Sequence, residues 1–167
     1  DRLLQVVAAV AVLGGDLDAA LLILLGEADP DTLGFKRTEN EFKSCHLVEQ
    51  PIGEYDFSTI RHFLFDHAEL LRYESLTQSS FQPLAQLAKK VKGEIKYHVM
   101  HADTFVKQLS NGNEESKARM QQALNNTWHL ALGIFEPGEY EVELTSNNIF
   151  IGEAELKKRW LEKVTPL

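Results

Sequence analysis

Residues Leu84 to Leu109 constrain the fold more than any other stretch of this chain. Leu84, Leu87, Ala88, Val91, Ile95, Ala102, Phe105, Val106 and Leu109 recur at intervals of three and four. At ~3.6 residues per turn, this spacing draws one apolar stripe along about seven turns of a single helix. A stripe that long needs long neighbours to cover it. Pro83 stands where helix N-termini accept proline, and Asn111-Gly112 provides the stop.

Three further stretches carry the same period. Phe57 to about Gln78 opens on Ser58, a good N-cap, and places Ile60, Phe63, Leu64, Leu70 and Leu71 on one side. Asn113 to Phe135 turns Met120, Leu124, Thr127, Ala131, Ile134 and Phe135 inward and Arg119, Asn126 and His129 outward, and ends at Pro137-Gly138. A shorter helix, Glu153 to Val164, has Leu156, Trp160 and Val164 as its apolar line. The alternation in Tyr140-Glu141-Val142-Glu143-Leu144 suggests one short strand with no partner nearby. Three long helices joined by short turns predict an all-α, antiparallel up-down bundle.

The N-terminal part supplies only two short apolar segments, Leu3–Leu13 and Leu17–Leu25. Leu3–Leu13 follows Arg2 in the manner of a signal-peptide core, but it is too short to span a bilayer, and Gly14-Gly15 behind it reads as a helix stop. A core helix is the better reading. With Asp1 rather than a methionine at the start, the chain is expected to be a processed, tagged or partly ordered product.

No repeat or flexible linker divides the 167 residues, so one domain over 1–167 is expected. A chain of this size buries roughly two thirds of its unfolded surface and needs no disulfide or structural metal. The net charge of −8 argues against a nucleic-acid partner, which would require clustered Lys and Arg. The lone Cys45 removes disulfide frameworks and suits a reducing, cytoplasmic setting.

Long-helix bundles can hold di-iron centres built from inward glutamates and Glu-x-x-His pairs, because residues three apart share a helix face. The residues three before His46, His62, His67, His98, His101 and His129 are Lys43, Thr59, Leu64, Ile95, His98 and Asn126. None is a carboxylate. The nearest approach to a metal site combines His98 on the apolar stripe, Glu94 at its edge and His101 farther round with His67 and Glu74 of the preceding helix. A buried polar network is the competing reading of these side chains.

Other patterns are weaker. Cys45-His46 adjacency does not make a thiol–imidazole dyad, and no glycine-rich phosphate loop occurs. The acidic run Glu136–Glu143 reads as a solvated loop. Lys89, Lys90, Lys92 and Lys96 read as a solubilising face that could also meet an anionic group.

Four motifs add a family resemblance over Asp29 to Glu136: Asp31-Thr32-Leu33 with Phe35 and Arg37, Leu47-Val48-Glu49-Gln50-Pro51, Glu94-Ile95-Lys96-Tyr97-His98, and Met120-Gln121-Gln122-Ala123-Leu124 followed by Trp128. With these, the chain resembles the non-catalytic, ferritin-like subunit of the bacterial ring-1,2-phenylacetyl-CoA epoxidase, the multicomponent monooxygenase of phenylacetate degradation. Leu22-Ile23-Leu24-Leu25-Gly26-Glu27-Ala28 takes the place of a family motif that has an aspartate where Ile23 stands.

The resemblance implies a ferritin-like bundle with incomplete N-terminal helices, no cofactor of its own, and a role supporting a sister subunit. That sister would hold the di-iron centre and bind the CoA thioester, with electrons from a separate flavin and iron–sulfur reductase. The residues read as outward, His62, Asp66, Glu69 and Tyr73 on the second helix or His129 on the third, are the candidate interface residues. Two other readings stay open: an oxidase whose metal is held by Glu94, His98, His67 and Glu74, and a self-associating helical protein of unrelated role. Neither involves nucleic acid or a membrane.

Overall fold

The computed structural model describes Lys36, Thr38 and residues 44–166. The segments Leu3–Leu13 and Leu17–Leu25, the Gly14-Gly15 stop, the Leu22–Ala28 motif and the Asp31–Leu33 motif lie outside the described residues. Regular structure among the described residues is entirely helical: α1 (His46–Glu49), α2 (Tyr55–Leu76), α3 (Gln82–Ser110), α4 (Glu114–Ala131), a 3-10 turn (Leu132–Phe135), α5 (Glu141–Ser146) and α6 (Glu153–Val164). The expected all-α bundle is what forms. No helix among the described residues is long and apolar enough to cross a membrane.

Short connections at 77–81 and 111–113 fold α2, α3 and α4 back on one another, and α2 lies at the centre, packed against α3, α4 and α6. The core runs through Leu64, Ala68 and Leu76 of α2, Leu84 and Ala88 of α3, Met120 and Ala123 of α4, and Leu156 and Trp160 of α6. The Leu-Val-Glu-Gln-Pro motif forms α1 and its exit. Leu47 is fully buried there, and Arg61 of α2 donates from Nη1 to the Gln50 carbonyl at 2.7 Å.

Helix boundaries follow local chemistry. α2 starts a turn earlier than Ser58 suggests: the Ser58 N–H donates to the Glu54 carbonyl at 2.9 Å, so Ser58 lies inside the helix and Glu54 is the cap. α4 has a true side-chain cap, with Asn113 Oδ1 accepting from the Ser116 N–H at 2.9 Å and Glu114 and Glu115 at the positive end of the helix dipole. Asn113→Ala should lower the unfolding free energy by about 1 kcal/mol in urea titrations, whereas Asn113→Asp should leave it nearly unchanged.

The predicted strand at Tyr140–Leu144 is instead the single helical turn α5. With no strand to pair with, its backbone groups are satisfied within the turn, and Leu144 still reaches the core while Val142 stands 81% exposed. The acidic run is likewise not all loop. Glu141 opens α5, and its Oε1 accepts the Glu153 N–H at 2.8 Å, satisfying a donor at the start of α6. Gly152 makes that approach possible: its φ is +93°, and an added Cβ would lie 3.1 Å from Glu141 Oε1 and 3.3 Å from Thr145 Cγ2.

Candidate functional site

The four side chains proposed for a metal do not converge. His67 is buried, as expected, but its Nε2 lies 2.8 Å from Asp103 Oδ1 on α3, and its ring meets Phe63 edge-on at 4.8 Å. Glu74, Glu94 and His98 are exposed rather than inward. The stripe on α3 continues through Val99 between Ile95 and Ala102, and steps of ~100° set His98 roughly 60° round from Ile95, on the side away from Val99. The same geometry puts Glu94 on the outer side, while His101 packs on Phe105 at 4.6 Å. On α2, Glu74 follows the buried Tyr73 and faces solvent. Among the described residues no group of three or more His, Cys, Asp or Glu side chains is placed to hold a metal ion.

The buried charge lies elsewhere, around Arg72. Its Nε donates to Glu69 Oε1 at 3.3 Å, one turn back on α2, and Nη1 and Nη2 form a two-pronged pair with Glu153 Oε1 and Oε2, the latter at 3.0 Å. Nη2 also reaches the Ile134 carbonyl at 3.4 Å, and the guanidinium sits 5.6 Å from the centre of the Phe150 ring. One arginine thus ties α2 to the 3-10 turn and to the first residue of α6. Sequence reading missed Arg72, Glu153 and Asp103 as partners. A signal for Arg72 was available: it stands in the same i, i+4 row as Leu64, Ala68 and Leu76, so a charge there needed a buried counter-charge.

Two carboxylates share that one guanidinium, and Glu69 is the undersatisfied one. Its Oε2 is buried with no hydrogen-bond partner among the described residues. Burial pushes the Glu69 carboxyl up from 4.5 to about 7, because the attraction of Arg72, itself paired with Glu153, offsets only part of the desolvation. The folded state therefore holds this proton more tightly than the unfolded chain does. Glu69's contribution is fully present below about pH 4.5 and is lost as pH rises through about 7. Glu69→Gln, which keeps shape and hydrogen bonding without charge, should match the wild type near pH 5 and exceed it by about 2 kcal/mol at pH 8.5 in urea unfolding. An equal difference at both pH values would contradict this assignment.

Of the candidate interface residues, His62 and His129 are at least partly open to solvent, but Asp66, Glu69 and Tyr73 are buried, contrary to the outward placement expected for them. The reason is the central position of α2: neighbours cover it on several sides, so one apolar stripe does not describe its buried surface. Cys45 is half-buried, and burial pushes its thiol up, which leaves it protonated and unreactive.

Against known proteins, the chain matches the family described as phenylacetic acid catabolic protein over residues 17–167. Two relatives come from the 1,2-phenylacetyl-CoA epoxidase of Escherichia coli (strain K12). To the subunit lettered C the chain is 31% identical over 141 residues, covering 84% of this chain and 57% of that one. To the subunit lettered A it is 22% identical over 137 residues, covering 78% of this chain and 44% of the relative. The chain spans about half the length of these curated relatives. The match over nearly the whole chain, on an all-helical fold, means that this chain belongs to the phenylacetic acid catabolic protein family.

Proposed function

We propose that this chain is a non-catalytic, structural subunit of a multicomponent phenylacetyl-CoA ring epoxidase, which stabilises and positions a related subunit carrying the di-iron centre. The observation that carries this reading is the commitment of the buried acids. Buried Glu69 and Glu153 are bound to Arg72, and half-buried Asp103 is bound to the buried His67. A guanidinium among inward carboxylates repels a metal dication and engages three of the four oxygens of Glu69 and Glu153, leaving Glu69 Oε2. No three carboxylates and imidazoles are grouped to hold a metal among the described residues, in the way bundle enzymes present them.

Both relatives are subunits of a 1,2-phenylacetyl-CoA epoxidase, which supports a place in such a complex. So does the outer side of α3, where Tyr97 and Met100 stand 70% and 59% exposed, apolar surface of the kind that intersubunit contacts cover. The chain works in the cytoplasm as one domain, with the CoA thioester handled by its partner. A direct test is co-expression with a tagged sister protein from the same genome, the counterpart of the relative lettered A. This chain is expected to elute with the tagged sister through size exclusion, and its absence from the eluate would contradict the proposal.

A further inference from the structure

We propose that one end of the bundle binds a small anion carrying an apolar group, with Lys157, His46 and His129 holding the anion and the groove beside Trp128 taking the apolar part. The first observation is a cavity of about 600 Å³ where α1, the end of α4 and α6 meet. Lys157 enters its wall from α6, His46 from α1 and His129 from α4. These are three nitrogen donors in a chain of net charge −8. No hydrogen bond or ion pair engages the side chain of any of the three among the described residues.

The other polar groups in that wall are already accounted for. The Ser44 hydroxyl donates to Glu49 at 2.9 Å, the Cys45 thiol is kept neutral by burial, and Glu136, the one carboxylate in the lining, is exposed, as His46 and His129 are, and makes no ion pair with any of the three. A half-buried ammonium that forms no ion pair, Glu136 in the same lining included, favours an anion brought from outside, since charge-assisted hydrogen bonds are the strong ones.

The second observation is independent of charge. A groove of about 740 Å³ runs beside α4, walled by Ile60, Phe63, Leu124, Trp128 and Val164, and it shares His129 with the first cavity. The shared His129 sets this groove next to the first cavity, so it can take the apolar body of a ligand whose anionic end meets Lys157 and His129. Both volumes are in the range of small-molecule sites, and apolar walls with a few convergent polar groups are their usual make-up.

The chain reports on its own occupancy, because its two tryptophans stack on each other at 5.3 Å and Trp128 lines the groove. Titration of the whole chain with hexyl phosphate should give a saturable change in tryptophan fluorescence, and inorganic phosphate should compete with it. Lys157→Gln should weaken hexyl phosphate binding by about tenfold, the loss expected for one charge-assisted hydrogen bond, and His129→Gln by less. Neither side chain is in the core, and unchanged far-ultraviolet circular dichroism would show that both variants fold. No saturable change with hexyl phosphate would overturn the proposal. So would Lys157→Gln binding as well as the wild type, or hexanol binding as tightly as hexyl phosphate.

Discussion

Arg72→Ala is expected to lower the free energy of unfolding by about 3–5 kcal/mol, the largest loss we predict for a polar residue in this chain. The effect comes less from the broken hydrogen bonds than from what remains. Glu69 and Glu153 are both buried, and without the guanidinium between them two carboxylates face each other in a poorly solvated interior. The Ile134 carbonyl loses a donor at the same time. Because folded domains are typically stable by only about 5–15 kcal/mol, the variant should be marginal at 37 °C.

A companion variant separates loss of a counter-charge from loss of packing. Replacing the three residues together, Arg72→Met with Glu69→Leu and Glu153→Leu, should recover most of the lost stability, since buried ion clusters exchanged for apolar groups of similar size are often neutral. Urea unfolding of the three proteins at pH 7.5 checks this. A loss below about 1 kcal/mol for Arg72→Ala would mean that the cluster is more hydrated than its burial indicates.

Trp160→Ala should cost a similar amount, about 3–5 kcal/mol, by a different route. Trp160 is 0% exposed and locks α6 onto the rest of the bundle. Its ring stacks on Trp128 of α4 at 5.3 Å and 23°, packs on Phe135 of the 3-10 turn at 5.2 Å, and donates from Nε1 to the Leu64 carbonyl of α2 at 2.9 Å. Alanine leaves a cavity at the junction of three elements and exposes a main-chain acceptor within it. Trp160→Phe keeps most of the ring area and loses the N–H donor, so its cost should be smaller, about 1–2 kcal/mol. Thermal and urea unfolding that rank alanine below phenylalanine below wild type would bear this out. Equal costs would assign the whole effect to the hydrogen bond.

Both residues show what was legible in the sequence and what was not. Leu156, Trp160 and Val164 were identified as the inward line of α6, and Met120, Thr127, Ala131, Ile134 and Phe135 as the inward line that ends α4, because each helix buries one stripe against its neighbours. α2 resisted the same reasoning. A helix with packed neighbours on several sides buries polar residues too, so Asp66, Glu69 and Tyr73 look outward by period yet lie inside. His98 was misplaced for the opposite reason: α3 has a wide exposed side, and a residue at the stripe's edge goes to solvent. The partner of Arg72 could not be read at all, since Glu153 is 81 residues away and only the folded chain brings it within reach. The short α5 escaped because six residues carry too little period to tell one helical turn from a strand.

Native mass spectrometry of the complex co-purified with the tagged sister protein decides whether this chain is a supporting subunit whose buried acids are held in internal ion pairs. A mixed complex whose iron content equals that of the sister alone is expected, and on dissociation this chain should leave at its metal-free mass. Release of this chain with iron bound, or failure to observe any mixed complex, would contradict it.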